Sequence, residues 1–163
     1  MAKFYMKQKV FSLRQNFDIY NENEEPVFHV ESEFFNFPRR SQIFSTETNE
    51  LLAEISRKLF SLMPQMNVII GGSEVAQIRQ KLSFLKPKYE ISSLGWTISG
   101  DILSHNYTIH DHQGELIASI SRKFFSWSDT FEFDIKDSTL YNQILTISVI
   151  LAIDNVMDMQ ENS

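Results

Sequence analysis

The sequence predicts a mainly β protein: a closed barrel of about twelve mostly antiparallel strands, built from repeated hairpins around a buried hydrophobic C-terminal helix. Three observations lead there. A segment returns along the chain: residues 50–62 read ELLAEISRKLFSL and residues 115–127 read ELIASISRKFFSW. Residues 74–87, EVAQIRQKLSFLKP, align when Ala76 is set on Ala53, which brings Ile78 onto Ile55 and Lys81 onto Lys58. Residues 25–38, EPVFHVESEFFNFP, keep the rhythm with fewer identities. Self-similarity of this kind reports architecture first. Each copy is also preceded by a short β-type run and a polar turn, and the last part of the chain is apolar on nearly every side of a helical wheel.

Taken in order, the first β-like run is Lys9 to Leu13. Phe17 to Tyr20 then leads through Asn21 to Glu25 into the 25–38 copy, and Gln42 to Ser45 leads through Thr46 to Glu50 into the 50–62 copy. Val68 to Ile70 turns at Gly71-Gly72-Ser73, and Tyr107 to His110 turns at Asp111 to Glu115. Such turn residues between alternating apolar runs mark hairpins. Lys88 to Ser92, Trp96 to Ile102 and Thr130 to Ile135 complete roughly twelve short strands, too many for an open twisted sheet, so closure is the economical solution.

The segment STLYNQILTISVILAID, residues 138–154, breaks the strand rhythm. Asp137 or Ser138 is its expected N-cap, and a helix apolar all round has to be buried. Its uninterrupted apolar stretch falls short of the roughly 20 residues of a membrane span, so burial in protein is preferred to insertion in lipid. Size agrees. A barrel of about twelve strands has a backbone radius near ~12 Å, too wide for wall side chains to fill, and a helix ~10 to 12 Å across suits the space. Ala53, Ala76 and Ala118 share strand parity with Ile55, Ile78 and Ile120, which places the small residues inward, where wall and helix come closest. The expectation is one domain over 1–163, with strands from about 4 to 135 and the central helix over about 138–157.

The chain has 163 residues, 42% hydrophobic with fourteen Phe, no cysteine and a formal charge of -6. Missing thiols remove disulfides, thiolate metal sites and cysteine nucleophiles together. The N-terminus MAKFYMKQKV lacks the apolar core of a secretory signal, which points to a cytoplasmic protein with no transmembrane span. Net acidity disfavours a general nucleic-acid binder, yet leaves room for a local basic patch.

The opening FYMKQKVFSLRQNFDIYNENEEPVFHVE, the repeated ELxAxISRKxF, the run WTISGDILSHNYTIHDHQGELIASISRKFFSW and the apolar C-terminal helix together resemble the LURP-one-related family of the tubby C-terminal-like superfamily. The resemblance spans nearly the whole chain. It implies a closed barrel of about twelve strands around a hydrophobic C-terminal helix, in agreement with the argument from repeats and size. It also places the chain beside tubby domains, which bind phosphoinositide headgroups, and the phospholipid scramblases. No local motif matches the tubby lipid-binding positions, so lipid binding enters as an analogy between folds.

The repeated basic positions are the functional candidates: Arg57 and Lys58, Arg79 and Lys81, and Arg122 and Lys123, with Arg39, Arg40, Lys86 and Lys88 at similar strand ends. At matching heights around a barrel they could hold an anionic headgroup. The plainer reading is that Lys and Arg guard strand ends for solubility, with Glu54 and Glu74 diluting the field. His105, His110 and His112, near Asp101 and Asp111, read as a solvated hairpin tip rather than a metal site, because spacing supplies no further ligands. Asp129, Glu132 and Asp134 do not match a calcium loop and alternate with Phe131 and Phe133 as a strand would. Phe34-Phe35, Phe60, Phe124-Phe125 and Trp127 could stack bases, but packing of strand ends is the preferred reading.

No G-x-S-x-G elbow or phosphate-cradling loop occurs, so no enzyme activity, cofactor or metal is expected. The function expected is a non-enzymatic intracellular binding domain, peripheral to the membrane, that recognises anionic lipid through a basic barrel rim. A protein-interaction or scaffold module is the alternative.

Overall fold

The structure, a computed structural model, describes residues 2–7, 16–33, 40–81, 88–124 and 129–161. Among the described residues twelve strands and one helix follow one another: β1 Ala2–Lys7, β2 Phe17–Tyr20, β3 Pro26–Glu33, β4 Arg40–Ser45, β5 Leu51–Arg57, β6 Gln65–Ile70, β7 Ser73–Lys81, β8 Lys88–Ser92, β9 Thr97–Asp101, β10 Asn106–His110, β11 Leu116–Phe124, β12 Asp129–Ile135 and α1 Leu140–Glu161. Except between β8 and β9, each strand pairs antiparallel with its neighbours in sequence, and β1 pairs with β12 along its whole length. The first strand is therefore Ala2–Lys7, while the expected run Lys9 to Leu13 lies outside the described residues.

The barrel is nearly closed rather than closed. β8 and β9 are the ends of the twelve-stranded sheet and meet through a single bridge, Ile91 to Trp96. The chain turns sharply between them, with Ser93 and Gly95 both at positive φ. Gly100 in β9 allows a close approach of strands: a Cβ there would stand 2.8 Å from the carbonyl oxygen of Asn106 in β10.

The repeat reappears in the backbone. The β2-β3, β4-β5, β6-β7 and β10-β11 hairpins each shift register at the same place, next to the turn, at Ile19/Tyr20, Ile43/Phe44, Val68/Ile69 and Ile109/His110. Asn21 and Asp111 play one role in two of them. The side-chain Oδ1 of Asn21 accepts from the amides of Asn23 and Glu25, as that of Asp111 does from Gln113 and Glu115. Such local bonds let a short side chain stand in for a turn of backbone.

Strand parity delivers the core. Ala53, Ile55, Ala76, Ile78, Ala118 and Ile120 are all buried against the interior, as are Phe131 and Phe133. Helix α1 does not run down the centre: its nearest strands are β5, β6 and β7. Ala53 and Ala76 lie on that wall and leave room for it, while Phe4, Phe17, Phe28, Tyr107, Phe131 and Phe133 fill the space on the other walls. Ala118 is buried too, but β11 is not among the strands nearest the helix.

The helix is long and apolar enough by length and composition to cross a membrane, and it is buried inside the barrel instead. Its buried hydroxyls are satisfied within it, Thr146 donating to the carbonyl of Asn142 and Ser148 to that of Ile144. The N-cap is Thr139 rather than Asp137 or Ser138: its carbonyl accepts the first helical bond from Gln143, and its Oγ1 accepts from the amide of Asn142. Asp137 braces the start from outside by accepting from the amide of Thr139 and the side chain of Asn142, and these bonds hold its carboxyl below the usual range.

Candidate functional site: the basic end of the barrel

Because every neighbouring pair is antiparallel, the ends of odd-numbered strands and the starts of even-numbered ones share one end of the barrel. That end is basic. Lys7, Arg40, Arg57, Arg79, Lys81, Lys88, Arg122 and Lys123 lie within the last or first three residues of their strands there, and Lys58 follows Arg57 directly. Among the described Lys and Arg residues, only Lys3 and Lys136 stand elsewhere; each faces a carboxylate, Glu132 at 3.9 Å and Glu115 at 3.7 Å. The opposite end carries Glu22, Glu24, Glu25, Glu47, Glu50, Asp111, Glu115 and Asp137 in its turns. Local turn chemistry, which favours Asn, Asp and Gly, explains part of that acidity.

Parity divides the candidate cations. Arg57 continues the inward series of Ala53 and Ile55 and pairs with Met66; Arg122 continues that of Ala118 and Ile120 and pairs with Phe131. Both lean over the mouth of the barrel, half-buried. Lys58, Lys81 and Lys123 are exposed. On β7 the inward place of Arg57 and Arg122 is taken by buried Gln80, so Arg79 faces outward and is not the counterpart of either arginine.

Lys58, Arg79 and Lys81 are brought together along an open cleft of about 630 Å³ between the β5-β6 connection and β7-β8, shared with Ser61, Leu62 and Glu90. Arg122 and Lys123 are not part of it; β8, β9 and β10 separate β7 from β11. The dilution expected from Glu74 does not occur, since Glu74 lies at the start of β7, toward the acidic end, where it bonds Gln77. Glu90 takes that role. Its carboxylate stands 2.9 Å from Arg79 and 3.7 Å from Lys81, and the hydrogen bond from Arg79 holds its carboxyl below the usual range. Arg40 is engaged similarly by Glu33 at 2.8 Å and Glu54 at 3.7 Å. Among the described residues Arg57, Lys58, Lys88 and Lys123 have no ion-pair partner. Arg39 and Lys86 lie outside the described residues.

The aromatic expectation is corrected at one position. Phe60 was expected to pack a strand end and is instead fully exposed, as is Leu62 two residues on. Phe34, Phe35, Phe125 and Trp127 lie outside the described residues. No sequence signal set Phe60 apart, because the same Phe-Ser pair recurs at the matching place of the 115–127 copy.

The histidines separate. His110 and His112 sit at the acidic end, whereas His105 lies across β10 in the connection after β9, with only 19% of its side chain exposed. His105 is thus not part of a solvated tip. Its ring meets that of Phe131 edge-on at 4.7 Å. Among the described residues, no group of three or more His, Asp or Glu converges as metal ligands would. Glu132 and Asp134 face out from β12 while Phe131 and Phe133 face in, as the alternation predicted.

A twelve-stranded antiparallel barrel wound on one helix, with one end basic and the other acidic, defines the class. The chain belongs to the LURP-one-related family, whose model matches residues 2–154. It is 35% identical over 159 residues to the uncharacterized protein YxjI of Bacillus subtilis (strain 168), covering 98% of this chain and 93% of that one. In fold it is similar to the X-ray structure of a protein from Arabidopsis thaliana, with a TM-score of 0.65 at 13% identity, over 95% of this chain and 90% of that one.

Proposed function

We propose that the protein is a non-enzymatic intracellular domain that docks on anionic lipid headgroups through the basic end of its barrel, peripheral to the membrane. The observation that carries this reading is the segregation of described Lys and Arg onto one end. A molecule with net charge -6 would be repelled by an anionic surface as a point charge. With its charge divided along the barrel axis it is oriented instead, basic end first, and its acidic turns stay a barrel length away, beyond the ~8 Å Debye length of physiological salt. Juxtaposed Lys and Arg each contribute on the order of 1 kcal/mol at such a surface. Lys58 and Lys123, exposed and without ion-pair partners among the described residues, are the first contacts.

Flotation with vesicles of phosphatidylcholine plus phosphatidylserine, against phosphatidylcholine alone, tests it. The protein should float with the anionic vesicles only, and Arg57→Ala, Lys58→Ala, Arg122→Ala and Lys123→Ala together should abolish flotation. Equal behaviour on the two vesicle types, or indifference to the four substitutions, would overturn the reading in favour of a protein-interaction module.

A further inference from the structure

The largest departure from ordinary packing among the described residues is the tip of the β5-β6 connection. Phe60 and Leu62 each show 103% of their reference surface, whereas the other exposed large hydrophobic side chains reach 58% at most. Nothing about the tip suggests a casual excursion. Its base is pinned on both sides, by the amide of Lys58 to the carbonyl of Gln65 at 3.0 Å and the amide of Gln80 to the carbonyl of Pro64 at 3.2 Å. Ser61 Oγ donates to the carbonyl of Met63 at 2.7 Å. Phe60 itself is held at φ +58, a left-handed conformation that a bulky side chain rarely adopts. Strain of this kind persists only where the surroundings over-determine it, and here its result is an aromatic ring presented to solvent.

Charge around the tip selects the partner. Lys58 lies two residues before Phe60, and Arg79 and Lys81 line the cleft that Leu62 shares. Apolar side chains standing proud of a cationic collar match the two layers of an anionic bilayer, acyl chains beneath charged headgroups. An apolar protein groove would satisfy Phe60 and Leu62 but gives no role to the collar.

We propose that this tip is a membrane wedge: Phe60 and Leu62 enter the acyl layer of an anionic bilayer while Lys58, Arg79 and Lys81 remain at headgroup level. The proposal rests on the lipid-docking reading and adds depth of insertion and a named anchor to it.

The chain has no cysteine, so Leu62→Cys carries one environment-sensitive fluorophore at the tip and Thr48→Cys one at the acidic end. With phosphatidylcholine and phosphatidylserine vesicles, the Leu62→Cys probe should shift to the blue and be quenched by nitroxides on lipid acyl chains, and the Thr48→Cys probe should do neither. The double variant Phe60→Ser, Leu62→Ser, whose side chains support no packing, should keep its melting temperature and lose ~10-fold or more in vesicle affinity. Vesicle binding with an unquenched tip probe and undiminished affinity of the double variant overturns the wedge and leaves lipid docking standing. Absence of binding to anionic vesicles by the unsubstituted protein overturns both.

Discussion

His105 Nδ1 stands 3.6 Å from Oδ1 of Asp154, so the connection between β9 and β10 meets a buried carboxylate on the last third of the helix. This is where the barrel's basic end reaches its plug. The distance exceeds a hydrogen bond. Burial, together with the Arg122 guanidinium, holds the imidazole below the ordinary histidine range against the opposing pull of Asp101. Asp154 in turn helps burial push the Tyr107 hydroxyl far above its usual value.

A pH dependence follows. The unfolded chain takes up the His105 proton near the ordinary ~6.5, before the folded chain does, so the contribution is whole above that value and is lost as pH falls through the lower folded one. His105→Gln should flatten the decline in melting temperature between about pH 7 and pH 5. An unchanged decline in thermal melts across that range would show that other groups govern it.

Glu90 ties down two cations of the cleft, and the pair is substantially exposed, so it contributes at most about 1 kcal/mol to stability. Glu90→Gln should therefore leave the melting temperature nearly unchanged while strengthening flotation with anionic vesicles. Weaker flotation at unchanged stability would mean that the carboxylate itself takes part in recognition.

Ala76 faces inward from the wall against which the helix lies. Ala76→Leu should overpack that contact and cost on the order of 1 to 3 kcal/mol in chemical denaturation. Ala118→Leu, buried but on β11, should cost less. Equal losses would mean that the helix is central rather than displaced toward β5, β6 and β7.

Thr139 caps the helix at the acidic end. Thr139→Ala should cost about 1 kcal/mol, and Thr139→Ser should restore most of it. Failure of the serine variant to recover would assign the loss to packing rather than to the cap.

The repeat made much of the wall legible. Ala53 and Ile55, Ala76 and Ile78, and Ala118 and Ile120 are inward because a period of two allows only one face to be apolar. The same period, carried one step further, would have separated Arg57 and Arg122 from Lys58, Lys81 and Lys123, yet a basic dipeptide draws attention to charge rather than to parity. Glu90 was not legible beside Arg79, because they are partners across a strand pair, eleven residues apart. Thr139 was hidden behind Asp137 and Ser138, which are equally good caps by type.

The sequence by itself determined most of the strands after the first, their inward faces, the hairpin turns and a helix too apolar to be anything but enclosed. These are local properties, set by periodicity and by residues that bond their own neighbours. Only the tertiary structure decided that the helix lies against one wall, that the barrel stops short of closure between β8 and β9, that Lys58, Arg79 and Lys81 share a cleft with Glu90, and that Phe60 faces solvent. Each depends on which strands become neighbours and how far the wall stands from the plug, quantities fixed by packing between residues distant in the chain.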